Sequence, residues 1–208
     1  MYHFLPWFGA MVLWLANPHG IAAKTAGGTV DSLSVQYTRA RAAKDSLLRY
    51  DPNSPLPPQT RAAFAGLPYF PPEAQYRVLG ELSVYGRRQQ ISVPTSNNGP
   101  PLPMEKFGRL QGQIQGKAFW LEVYRSLENG DLEIFFKDPT NGVQTYGGGR
   151  YVPVIDLVKG QYLVDFNMSY SPYCAYSSGY VCPLPPSQNH LSIPILAGEK
   201  AFGPELAH

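Results

Sequence analysis

Charge is scarce in this 208-residue chain: 15% of residues are Asp, Glu, Lys or Arg, against ~25% in an ordinary soluble domain. The 17 basic and 15 acidic residues nearly cancel, leaving a formal charge of +2. Arg87-Arg88 is the only adjacent basic pair. A groove that follows a nucleic-acid backbone needs clustered Lys and Arg, so nucleic acid is not an expected partner. Cysteine is limited to Cys174 and Cys182, too few for a structural zinc site with its four ligands; no metal and no cofactor is expected. Of the four histidines, His3 and His19 precede the cleavage site argued below and His208 ends the chain, so His190 alone remains for base chemistry. The chain has no Gly-x-Ser-x-Gly elbow for a serine nucleophile. Its Gly147-Gly148-Gly149 run is not followed by the Lys-Ser/Thr of a nucleotide loop.

The apolar run FLPWFGAMVLWLA (4–16) is shorter than the ~20 residues that a bilayer-spanning helix requires. It suits the apolar region of a secretory signal, although Met1-Tyr2-His3 carries no Lys or Arg. Small residues at Gly20 and Ala22 favour cleavage after Ala22. Residues 1–22 are therefore read as a signal peptide and 30–203 as a single domain. The mature chain is expected to be exported, periplasmic or extracellular, with no membrane span. In that setting Cys174 and Cys182, eight positions apart, are expected to form a disulfide. So short a loop would add about 2–3 kcal/mol.

With 44% hydrophobic and 13% aromatic residues, the chain can fill a core. From Val30 to Tyr50 the pattern turns helical: Leu33, Tyr37, Ala40, Lys44, Leu47 and Leu48 recur at three- and four-residue steps, with Asp31 or Ser32 as N-cap and Asp51-Pro52 as the stop. TRAAFAGL (60–67) reads as a short helical turn. From Ala74 the period falls to two. Runs at 74–86, 89–93, 107–114, 117–125, 132–137, 143–146, 151–155, 161–166 and 191–196 read as about nine strands at hairpin spacing. Asn129-Gly130 is a strong turn signal between two of them. The expected fold is mainly β: an antiparallel barrel-like sheet or curled sandwich with an N-terminal helix.

The segment 134–199 concentrates Gly, Pro, Tyr, Asn and Asp. It contains Phe136-x-Asp138-x-Thr140-x-Gly142-x-x-Thr145-Tyr146-Gly147-x-Gly149-Arg150, then Asp165-Phe166-Asn167-x-x-Tyr170-x-Pro172-x-Cys174-Ala175-Tyr176. Cys182-Pro183-x-Pro185-Pro186-x-x-Asn189 and Ala197-Gly198-Glu199 follow. Together with Lys44-Asp45, Ser54-Pro55-Leu56, Phe64-x-Gly66-Leu67 and Tyr69-Phe70 upstream, this string resembles the bacterial and archaeal domain of unknown function 1684 across residues 39–200. Ser171 stands where that family often carries Asn. The resemblance implies one domain and no established activity. It also implies a Cys pair in members without an export signal, which opens a role for the thiols other than a disulfide.

Asp138 opens the DPTNG turn, where its carboxylate either caps the backbone or serves as an acid. Arg150 follows three glycines; its planar fork either receives a carboxylate or phosphate or pairs internally with Asp138 or Asp165. Asp165 and Asn167 fall on the strand face opposite Phe166, where they either line a pocket or cap the following loop. The expected ligand-binding set is Tyr146, Arg150, Asp165, Asn167, Tyr170 and Asn189, and the catalytic candidates are Asp138, Asp165 and Tyr170, with Glu199 as a further carboxylate. CPLPPSQNH (182–190) reads as an extended loop across one mouth of the sheet, and Cys174 with His190 is a nucleophile pair only where thiols stay reduced. The leading function is binding of a small-molecule ligand. The alternatives are a hydrolase-like enzyme built on these carboxylates with Arg150 and Tyr170, and a structural or envelope-interaction protein.

Overall fold

A computed structural model describes residues 28–157 and 160–203. The expected signal peptide and its cleavage position lie outside the described residues. Helix α1 spans Gly28–Tyr50. It begins ahead of the expected caps, so Asp31 and Ser32 sit within it. Tyr37, Lys44 and Leu48 are its buried positions, whereas Leu47 is exposed. The Asp51 amide makes the last helical bond, to Leu47 O at 2.9 Å, before Pro52 removes the next donor. Helix α2 (Pro58–Ala62) has proline in its first turn, where the missing N–H costs nothing. Leu48, Leu56, Phe64, Leu67 and Tyr176 close a satellite core between these helices and the rest of the chain.

Six strands follow: β1 (Arg77–Val93), β2 (Leu102–Ile114), β3 (Lys117–Ser126), β4 (Leu132–Phe136), β5 (Arg150–Asp156) and β6 (Gln161–Asp165). Each pairs antiparallel with the next, and β6 returns to β1 in register Arg77↔Asp165 to Glu81↔Gln161. The sheet thus closes into a ring. The β2–β3 turn places Gln115 at φ 54° and Gly116 at φ 73°. Two successive positive-φ residues match the right-handed twist of the flanking strands.

The expected nine runs become six for three reasons. The runs at 74–86 and 89–93 are one strand, β1, whose register against β2 shifts between Val84 and Gln89. The run at 143–146 is a tight turn, because the amides of Val143, Gln144 and Thr145 all reach Thr140 O. The run at 191–196 keeps its alternation, with Leu191, Ile193 and Ile195 buried and Ser192, Pro194 and Leu196 exposed. Its backbone meets the chain beyond β4 only at its start, where Leu191 N donates to Lys137 O at 2.8 Å; further on, Ile195 bonds to the side chains of Asp138 and Arg150, and Pro194 has no N–H to offer.

One apolar cluster draws on all six strands (Val78, Leu110, Leu121, Phe136, Val152 and Val164 among them) and so fills the ring. Leu191, Ile193, Ile195 and Ala197 enter the same cluster from outside the sheet. Alternation turns the remaining residues outward. Tyr124, Phe135 and Tyr151 form a second cluster with Val93 and Met104, covered by Tyr170. Asp165, one residue from the inward Val164 and Phe166, faces away from that filling, whereas Arg150 shares its face with Val152 and Val154 and lies 5.3 Å over the Phe136 ring. Among the described residues, no helix is long and apolar enough to cross a membrane.

Candidate functional site

Arg150, at the first position of β5, is fully buried. Its Nη2 donates to Asp138 Oδ2 at 2.9 Å and to Ile195 O at 2.8 Å. Its Nη1 donates to Ala197 O at 2.5 Å and to Glu199 O at 3.3 Å. Asp138 Oδ1 accepts from Thr140 N and from Ile195 N. Of the two roles open to Arg150 from its sequence context, the structure forms the internal pair, with Asp138 and not Asp165. Gly149, at φ +103°, lets β5 start under Pro185: a Cβ there would meet Pro185 Cγ at 2.6 Å and Phe136 O at 2.8 Å. The glycine run serves a close approach within the chain.

Asn189 spends its amide on backbone. Its Oδ1 accepts from Glu122 N and its Nδ2 donates to the carbonyls of Glu122 and Phe135, which ties the Pro-rich loop to β3 and β4. The Tyr146 hydroxyl reaches Cys174 Sγ at 3.7 Å. These positions do not meet Asn167 and Tyr170 in one pocket.

Asp165 caps the turn after β6 through Asn167 N at 3.0 Å and also accepts from the Tyr37 hydroxyl of α1 at 2.6 Å. The Asn167 amide clips Glu73 from both sides. Behind this pair a cleft opens between α1 and the 167–170 segment. Ala40, Arg41, Lys44, Tyr69, Asn167, Met168, Ser169, Tyr170 and Glu199 line a small cleft of about 20 Å³, room for about one water molecule. Lys44 Nζ donates to Glu199 Oε2 at 2.6 Å, with both side chains buried, and lies 5.0 Å over the Tyr170 ring. The Tyr176 hydroxyl donates to the other Glu199 oxygen. The Arg41 guanidinium stacks 4.5 Å over the Tyr69 ring. Arg41 Nε and Nη2, Tyr69 Oη and Ser169 Oγ are shielded from solvent and make no hydrogen bond. Of the expected site residues, the cleft brings together Asn167, Tyr170 and the further carboxylate Glu199.

The chain matches the family described as "Protein of unknown function (DUF1684)" over residues 62–200. It belongs to the DUF1684 family. A solved structure, the solution NMR structure of an uncharacterised protein of Haloarcula marismortui, is 34% identical, with a TM-score of 0.65. The similarity covers 83% of this chain and 96% of that one. No curated protein matches.

Arg41 is absent from the motif string, which starts at Lys44-Asp45, and lies upstream of the residues 62–200 that match the DUF1684 family. A signal existed nonetheless: Lys44 occupies an apolar-stripe position of α1, and a cation there must be paired or must face a polar site. Arg41 is one turn away on the same face. Burial pulls the Arg41 guanidinium below its ordinary pKa, opposed by Tyr69, Tyr37 and Asp165.

Two further buried groups surround the domain's aromatic face. Glu133, on β4, accepts from the Tyr170 hydroxyl. Burial lifts its carboxyl to about 8, with the Tyr170 bond acting against the shift and Asp131 adding to it. Cys174 and Cys182 are adjacent, buried and unbridged, with Cys174 N donating to Cys182 Sγ at 3.2 Å. The expected disulfide is not shown: the two thiols lie side by side without a bond between them. The Cys174 thiol is lowered to about 7, chiefly by its bond with Cys182, against the opposing effect of burial.

Proposed function

We propose that this DUF1684 domain binds a small ligand in the cleft beneath α1, centred on Arg41 rather than on Arg150. One observation carries this reading: four hydrogen-bonding atoms bordering the cleft make no hydrogen bond within the protein and are sealed from solvent, so a ligand group reaches them only as the cleft opens. Each buried polar group left unsatisfied costs about 1–3 kcal/mol, so a ligand that engages them recovers that cost on binding. Asn167 and Tyr170 line the cleft, and Asp165 braces it by holding Tyr37. The Arg150–Asp138 pair, with both Nη groups of Arg150 engaged although its Nε is not, supports a structural role for those two residues, as the backbone bonds of Asn189 do for it. The motif string then divides, one part holding the fold and the other shaping the site.

Native mass spectrometry of the protein purified from its producing cells tests this. Wild type is expected to carry a small bound mass that Arg41→Gln lacks, with both proteins giving the same far-UV circular dichroism. Identical spectra with no bound mass, or a bound mass retained in Arg41→Gln, refute the cleft as the site.

We further propose that the chain is exported, with cleavage near Ala22, and that Cys174 and Cys182 become a disulfide through exchange with an external disulfide. The apolar run at 4–16 and the adjacency of the two thiols support this. A thiol near 7 is about half thiolate at neutral pH, and the thiolate is the attacking form. The intact mass is expected to start at Ala23 and to be two hydrogens lighter than the reduced sequence. A full-length reduced mass would refute both parts.

A further inference from the structure

We infer that two copies of this chain pair antiparallel through the open edge of β3, with Trp120 of each copy opposite Ala118 of the other. The cleft beneath α1 plays no part in this. β2 covers one edge of β3 from Lys117 to Ser126, whereas β4 meets the other edge only at Tyr124 and Arg125. Next along that second edge, the Asn189 amide stands in for a strand and takes both the N–H and the C=O of Glu122. That contact sets the phase of the edge. Successive residues of an antiparallel strand turn their backbone groups to alternate sides. Those of Glu122 point away from β2, so those of Trp120 and Ala118 do as well. Among the described residues nothing pairs with them there. The segment at 191–196 turns its apolar side chains into the ring and forms no bridge to β3. Ala118 and Trp120 are both exposed.

An open edge of this kind templates a further strand, and this one matches itself. With a two-fold axis at Phe119, Trp120 meets Ala118 of the second copy and Ala118 meets its Trp120. Each couple exchanges both N–H···O bonds. Every outward backbone group between the Gln115-Gly116 turn and Glu122 is then used, and the pairing stops where Asn189 begins. The side chains fit the same register. Ala118 and Trp120 share the outer face of the sheet, so the smallest side chain of β3 lies opposite its largest. The Trp120 ring is 38% exposed and already held from its own copy by Arg109, whose guanidinium lies 4.1 Å over it. Ala118 of the second copy leaves room for the rest of the ring. Lys117, the charge of this open stretch, falls opposite Leu121 of the second copy. The two Lys117 side chains are then offset by four residues, about 13 Å along the strands, and do not meet.

Sedimentation equilibrium and amide hydrogen exchange by NMR test this. Wild type is expected to dimerise at concentrations below about 1 mM, the weak end of specific association. Exchange at the Trp120 amide is expected to slow as concentration rises. Ala118→Pro removes an N–H that no bond within one copy uses, at an edge position where proline is tolerated. It is expected to weaken the dimer at least tenfold, with circular dichroism and the urea midpoint unchanged. Trp120→Lys lies on the exposed face and keeps every backbone donor. It is expected to weaken the dimer by a similar factor, and it decides the matter if Ala118→Pro does not fold. A wild type that stays monomeric up to that concentration overturns the inference and leaves the edge to an extended peptide of another protein. A dimer of wild-type affinity in the folded variants overturns it as well, because the contact then lies on another face.

Discussion

Asp138→Asn is expected to cost the fold about 3–5 kcal/mol, the usual penalty for leaving one partner of a buried ion pair uncompensated. The substituted amide turns a donor toward Arg150 Nη2, itself a donor, in a place with no exposure to water. The loss spreads beyond the pair. Asp138 and Arg150 together hold Ile195 by both its N–H and its C=O, and Arg150 also holds Ala197 O. Weakening the pair releases the segment that carries Leu191, Ile193 and Ile195 into the core. Arg150→Met should be damaging too, since it strips three carbonyls of their donor. The double variant Asp138→Asn/Arg150→Met should cost less than the sum of the singles, because the stranded charge is gone. Urea unfolding at fixed pH measures all three. A cost below about 1 kcal/mol for Asp138→Asn would show that the pair is not the clamp that its geometry describes.

Wild-type stability is expected to fall with rising pH across roughly 4.5 to 8, and Glu133→Gln to remove most of that slope. Glu133 is 4% exposed, and its carboxyl is raised from 4.5 to about 8, first by desolvation. An acid whose pKa is higher folded than unfolded holds its proton more tightly in the fold. The resulting stabilisation is complete below the unfolded value and is lost as pH climbs through the folded one. At 1.36 kcal/mol per unit, the loss approaches about 4–5 kcal/mol once pH exceeds 8. Cys174 acts in the opposite sense. Its thiol is lowered from 9.0 to about 7, so its contribution is present above the unfolded value and fades as pH falls through about 7. The difference between wild type and Glu133→Gln isolates the carboxyl from the thiol. Equal slopes in the two proteins between pH 5 and 8 would mean that Glu133 is ionised within the fold.

The local elements were legible where one residue type dictates backbone geometry. Asp51-Pro52 ends α1, Gly116 and Gly130 take positive φ at the two hairpin turns, and period-two runs locate the strands. The segment at 191–196 shows where that logic stops. Its alternation is real and its burial follows it, but alternation reports which side chains go inward and is silent on what bonds the backbone. At Ile195 the bonds come from the side chains of Asp138 and Arg150, more than 40 positions away in sequence. The polar site was legible in part for a related reason. Asn167 and Tyr170 stand out within a motif, whereas Arg41 becomes conspicuous only once α1 is laid against residues 167–170. Tyr37 and Asp165 make that contact across 128 positions, a distance that no local pattern spans.

The ring's apolar filling has a consequence for how the chain is made. Leu191, Ile193, Ile195 and Ala197 follow all six strands in the chain, so they leave the ribosome after the wall they complete. Until they arrive, a nascent sheet presents an unfilled greasy lumen and an unanswered Arg150. Holdase chaperones recognise such exposed apolar surface on partly formed domains. The DUF1684 fold is in this sense corked rather than merely rolled, and its final structure waits on the cork.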